Sequence, residues 1–162
     1  MLEIFKETEA ELKELELQID SFDFNRPWGG FFVIEEKEAQ KFADTYFNKL
    51  DVQSLKISGK LSPKILLVKP ESRLSWQYHH RRAETWRIVK GEVGIVRSFS
   101  DTESAVVNYK EGDLITLQKE ERHRLVGLKD WAIIAEFWQH TEPSNPSNED
   151  DIVRVQDDYS RK

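Results

Sequence analysis

A mainly β chain, folded as an antiparallel sandwich or barrel with two helices packed outside it, is what the sequence predicts, and three observations predict it. Short β-branched or aromatic runs follow one another from Lys64 onward: KILLVK, TWRIVK, EVGIVRSF, AVVNY, DLITLQ, HRLVGL and WAIIAEFW. Turn-formers separate several of them, in KPES, KGE, KEGD and KD. No helical stretch lies between these runs, and short strands recurring roughly every ten residues without intervening helices pair antiparallel.

Taken in order, residues 2–20 read as a helix. Phe5, Thr8, Leu12, Leu15, Ile19 and Phe22 fall at spacings of three and four and make one apolar stripe. Such a stripe lies on its own domain or on a second copy, so a homodimer is one of two expected arrangements. The acidic polar face argues against a membrane-surface role. NRPWGGFFVI (25–34) reads as a turn leading into a strand. Residues 35–51 lack Gly and Pro and carry Ala39, Phe42, Tyr46 and Leu50 at helical spacing, which predicts a second helix. Residues 58–63 are a loop, 64–140 the barrel core, 141–151 a polar loop, and 149–162 a tail with its own motif. The expectation is one domain over 1–162, with residues 1–24 as a helical extension.

The chain has 162 residues, enough for one sizeable core. It contains no cysteine, which excludes disulfides, thiolate metal sites and cysteine nucleophiles. The N-terminus is acidic without an apolar signal core, and runs such as ILLV and AIIA are too short to span a bilayer, so a soluble cytoplasmic protein is expected. Of the net charge of −6, all resides in residues 1–25; the rest balances. That balance implies no nucleic-acid partner. Arginine nevertheless clusters at Arg73, Arg81, Arg82 and Arg87, which suits a small anion.

The chemistry concentrates in LSWQYHHRRAETWRIVKGEVGIV (74–96). Residues two apart on a strand share a face, so Gln77 and His79 project together. Glu84 rejoins that face after the HRRA bend, and Gly91 suits the tight turn of a hairpin over 84–97. His123 follows Gly112-Asp113 and DLITLQKEER, at the start of another strand. An amide oxygen, a carboxylate and two imidazoles make a four-ligand set that divalent metals accept. Trp76, Trp86, Trp131 and Trp138 read as core rather than sugar platforms.

The spacing Gln77-x-His79-x4-Glu84-x6-Gly91, followed by His123, resembles the two cupin motifs with glutamine in place of the first histidine. RPWG (26–29), RLSWQYHHRRAETW (73–86) and EDDIVRVQDDYSR (149–161) resemble the cupin domain of type II mannose-6-phosphate isomerases. The resemblance implies a cupin double-stranded β-helix, a jelly-roll-like barrel. It implies a divalent metal on Gln77, His79, Glu84 and His123, zinc first, with manganese, iron and nickel as alternatives. It also implies a small phosphorylated sugar as substrate, and that Arg154 reaches the active site as a catalytic or phosphate-binding group. Ser75 and Arg82 are candidate substrate contacts. His80 is a candidate proton shuttle, weighed against an exposed histidine, because strand alternation points it away from His79. The chain departs from the pattern at Gln118 and Glu120, where the second motif carries proline and glycine, and at Arg81 and Thr85, where histidines are usual. Residues 35–51 read as an insertion. The expected activity is mannose 6-phosphate/fructose 6-phosphate interconversion. A non-catalytic sugar-binding or regulatory cupin and a cupin dioxygenase are the alternatives.

Overall fold

Alternation along each strand decides which side chains face inward, and here two strands are buried on both faces. The computed structural model describes residues 2–56 and 59–161; Ser58, in the expected 58–63 loop, lies outside the described residues. The elements run α1 (Glu3–Glu14), β1 (Ile19–Arg26), β2 (Gly29–Ile34), α2 (Ala39–Tyr46), β3 (Lys64–Val68), β4 (Trp76–Tyr78), β5 (Arg82–Lys90), β6 (Glu92–Ser98), β7 (Val107–Lys110), β8 (Leu114–Leu117), β9 (Arg122–Gly127), β10 (Ala132–His140) and β11 (Val153–Gln156), with single 3-10 turns at Glu36–Glu38 and Val52–Ser54. One sheet has the order β1-β2-β3-β10-β5-β8 and the other β11-β4-β9-β6-β7, all antiparallel. This is the double-stranded β-helix; β3 to β10 run from Lys64 to His140, and β1, β2 and β11 extend its sheets beyond that span.

KILLV and AIIAEFW are continuous apolar runs because both their faces are covered. Leu66, Val68, Ala132 and Ile134 pack inside the barrel with Trp86, Ile88, Ile95 and Leu125. Ile65, Leu67, Ile133, Ala135 and Phe137 face outward, against Phe5 and Leu12 of α1 and Phe42 of α2. Each such fully buried side chain contributes roughly 1.5–3 kcal/mol of transfer free energy. Both helices therefore lie outside the barrel, as the sequence predicts.

Two boundaries differ. The N-terminal helix ends at Glu14, not near residue 20. Glu16 takes φ 58°, and the Leu17 and Glu16 amides donate to the Leu12 and Lys13 carbonyls. That is a Schellman end with glutamate where glycine is usual, so nothing in the composition announced it. Ile19 and Phe22, assigned to the helical stripe, lie in β1, and Phe22 is exposed. The extension over 1–24 is thus a helix followed by an edge strand. The second helix is likewise shorter than 35–51: it closes at Tyr46, where Asn48 and Lys49 turn left-handed.

Gly91 has φ 77° in the β5–β6 hairpin. Gly29 has φ 139°, and a Cβ there would lie 1.9 Å from the Leu67 carbonyl oxygen, so β2 can pair with β3 only through glycine.

Candidate metal centre and pocket

The two sheets present facing rows of polar side chains at one end of the barrel. On β11, β4 and β9 the paired residues are Arg154, Gln77 and His123. On the other sheet Trp138 pairs with Glu84, and Glu136 pairs with both Lys64 and Trp86. Between them is a pocket of about 380 Å3 whose lining includes Gln77, Arg82, Glu84, His123 and Arg154.

His79, Glu84 and His123 are all buried, and each offers a ligand atom within 4.8 Å of the others. The His79 Nδ1–H donates to the Asp151 carbonyl (2.7 Å), and the His123 Nδ1–H donates to the Glu121 carbonyl (3.0 Å). Both rings therefore turn Nε2 inward, that of His79 standing 3.3 Å from Arg82 NH2. His79 Nε2 lies 3.2 Å from Glu84 Oε1, and His123 Nε2 lies 3.6 Å from Glu84 Oε2. The His123 Nε2 is buried without a hydrogen-bond partner. Burial, above all, drops the His123 pKa to about 4, so this ring is neutral near pH 7. Burial also opposes the Glu84 charge, yet His79, the Arg82 guanidinium and His123 together hold that carboxyl well below the usual range. Two imidazole nitrogens and a carboxylate thus converge at one buried point, a donor set that fits a divalent cation.

Gln77 completes the set. Its Nε2 stands 3.4 Å from His79 Nε2, and Ser75 Oγ donates to its Oε1. Half a turn of the terminal amide presents Oε1 inward and lets Nε2 donate to Ser75 instead. Ser75 is fully buried behind Gln77, where it orients that amide. Arg82 Nε donates to Glu84 Oε1 (2.9 Å), its NH1 to Ser147 Oγ (3.0 Å), and its guanidinium stacks 3.6 Å over Trp138. His80 is the one candidate the structure places away from this centre. It is half-exposed, 3.5 Å from Glu120 and edge-on to Tyr78, in the bend that follows β4.

Several pocket residues went unnamed in the sequence reading. Arg26, Lys64, Glu136 and Arg161 line the pocket along with Arg154. The RPWG resemblance was the signal available for Arg26; Arg161 closes the tail motif. Burial lowers the Arg154 pKa, with Arg161 and Arg26 adding to the effect and Asp157 opposing it. Nearby acids are engaged as well: Glu149 pairs with Lys64, Asp157 with Arg161, and Asp151 accepts from the His80 and Arg81 amides and from Ser147 Oγ. The Glu136 carboxylate accepts from the indoles of Trp86 (2.7 Å) and Trp138 (3.0 Å). Burial, and then the nearby Glu84, push it up to about 8. Trp86 and Trp138 are core side chains, as expected, but they are pocket walls as well.

No helix among the described residues is long and apolar enough to cross a membrane. Comparison with known proteins agrees with the geometry. The chain is 28% identical over 124 residues to the alginate biosynthesis protein AlgA of Pseudomonas aeruginosa, a match covering 76% of this chain and 24% of that protein. It is 30% identical over 108 residues to the xanthan biosynthesis protein XanB of Xanthomonas campestris pv. campestris, covering 67% and 21%. The matches therefore span about a quarter of those relatives' length. Among solved structures, vicilin from Corylus avellana superposes with a TM-score of 0.57 at 15% identity, covering 86% of this chain and 36% of vicilin. A point mutant of Bacillus subtilis oxalate decarboxylase OxdC gives 0.57 at 16%, covering 83% and 30%, and both share the fold alone. The family model described as "Mannose-6-phosphate isomerase C-terminal" matches residues 35–157, so the segment 35–51, read above as an insertion, falls inside the family's bounds. By that match the chain belongs to the mannose-6-phosphate isomerase C-terminal family.

Proposed function

We propose that the protein is a metal-dependent aldose–ketose isomerase acting on a small phosphorylated sugar, with mannose 6-phosphate and fructose 6-phosphate as the first pair to assay. The observation that carries this reading is the pairing, in one pocket, of inward imidazole nitrogens and a carboxylate with the guanidinium groups of Arg26, Arg154 and Arg161. A divalent ion on Gln77, His79, Glu84 and His123, zinc being the first choice, would supply Lewis-acid polarisation of the sugar carbonyl. The arginines hold the phosphate, since planar guanidinium groups pair with phosphate oxygens two at a time. Clustering three such cations costs less with a dianion among them, which is consistent with the depressed Arg154 pKa. Arg82, stacked on Trp138 and bonded to Glu84, fixes the carboxylate and excludes water from that wall. Glu136 is the carboxyl that can take and return a proton near neutral pH, with the Trp86 and Trp138 indoles fixing its orientation.

Turnover of mannose 6-phosphate to fructose 6-phosphate, with the metal identified by elemental analysis of the same sample, tests the reading. Stoichiometric metal with interconversion supports it. Stoichiometric metal and sugar-phosphate binding without turnover would instead make the protein a sugar-binding cupin. Oxygen consumption on an organic substrate would make it a dioxygenase.

A further inference from the structure

The turn between β8 and β9 touches both metal-facing histidines. The Glu120 amide donates to the His79 carbonyl (3.0 Å), and the Glu121 carbonyl accepts the His123 Nδ1–H (3.0 Å). The spacing of the two imidazoles therefore depends on the shape of residues 118–121. That shape is not an easy one. Glu120 holds φ 64°, a left-handed conformation that costs a non-glycine residue about 1 kcal/mol. No proline fixes the turn and no glycine relieves its positive φ: residues 118–122 read QKEER.

What holds it is the buried side chain of Glu121, 2% exposed. Its Oε2 accepts from Arg97 Nε (2.6 Å), and its Oε1 accepts from Arg97 NH2 (3.1 Å) and from the Gln118 amide (2.9 Å). Arg97 NH2 also donates to the Thr116 carbonyl (2.7 Å), so the clasp reaches back into β8. Arg97 is itself the cross-strand partner of His123 on β6. The carboxylate thus closes the turn on itself and ties it to the strands on either side, while the carbonyl of the same residue sets the His123 tautomer.

We infer that Glu121 is a positioning residue for the metal centre, acting through His123 and clasped by Arg97 in place of a stiffer turn. The inference rests on the metal reading above, but it concerns ligand geometry and not turnover. Removal of an outer partner of a ligating histidine typically costs 10- to 100-fold in metal affinity.

The test is titration of metal-free protein with Co2+, reading both affinity and the visible d–d absorption, for wild type, Glu121→Gln and Arg97→Ala. Glu121→Gln keeps the shape of the side chain but loses one acceptor oxygen. Arg97→Ala removes the clasp from its half-exposed side, and it carries the test if Glu121→Gln does not fold by circular dichroism. The Glu121 carbonyl itself stays in both variants, so the expected effect is the low end of that range, about 10-fold weaker Co2+ binding with altered band intensities, and Glu120→Gly unchanged or slightly more stable. Wild-type affinity and an unaltered spectrum in both clasp variants would overturn the inference. Failure of wild type itself to bind Co2+ would instead overturn the metal reading beneath it.

Discussion

Lowering the pH should release the segment that leads into the C-terminal tail, and His140 sets where this happens. The His140 ring is fully buried at the end of β10. Its Nδ1 accepts from the Ser147 amide (2.9 Å), and its Nε2 faces Ser62 Oγ at 3.2 Å. A proton on Nδ1 is therefore incompatible with the Ser147 bond. Burial, with Lys60 and Arg82 on the same side of the balance and Asp151 against it, lowers the pKa from 6.5 to about 4. The depressed value means that folding favours the neutral ring. The stabilisation is present above pH 6.5, the unfolded value, and is lost as the pH falls toward 4. At 1.36 kcal/mol per pH unit, that interval is worth about 3 kcal/mol. The assay is urea unfolding of wild type and His140→Gln at steps from pH 7.5 to 4. The other titrating groups are common to both proteins, so the difference between the two stabilities isolates His140. It should shrink by about 3 kcal/mol across the interval, since glutamine carries no proton to gain. Parallel loss of stability in the two proteins would refute the reasoning.

Other outcomes follow from the same geometry. His79→Ala and His123→Ala should each abolish stoichiometric metal by elemental analysis while the strand-dominated circular dichroism spectrum persists; full occupancy in both would sink the ligand assignment. Arg154→Ala should raise KM for a sugar phosphate about 10- to 100-fold and leave metal content intact, with lysine restoring only part, because one ammonium cannot reproduce the fork. A fall confined to kcat would move Arg154 from phosphate binding to the chemical step. Gly29→Ala should destabilise by about 3 kcal/mol or more, seen as a lowered urea midpoint, because the added Cβ meets the Leu67 carbonyl at 1.9 Å and the backbone at φ 139° disfavours any side chain.

What sequence could and could not reveal divides along physical lines. The run of antiparallel strands after Lys64 was legible because β-branched runs and turn residues are local signals. Gln77, His79 and Glu84 were legible because they share one short segment. The end of α1 was not: Ile19 and Phe22 fit the helical spacing, yet their partners Ile34 and Phe32 on β2 draw them into a strand. Glu136 and Lys64 sat unnoticed inside apolar runs, since alternation alone does not say which side of a doubly covered strand meets a pocket. The carbonyls of Asp151 and Glu121 escaped for a further reason. They act through the backbone, and every residue has one, so no side-chain pattern marks them.

The partner of His79 lies 72 residues further along the chain, in Asp151. A ribosome adding roughly 5–20 residues per second needs about 4–14 s to cover that stretch. During this time His79, Glu84 and then His123 already exist, but the His79 ring has nothing to fix its tautomer, and β4 lacks β11, the strand that carries Arg154 beside Gln77. The barrel walls can close before the centre has its final geometry. Order of synthesis thus makes the tail the last piece of the site to arrive, and a nascent chain stalled before Asp151 would hold its ligands in loose array.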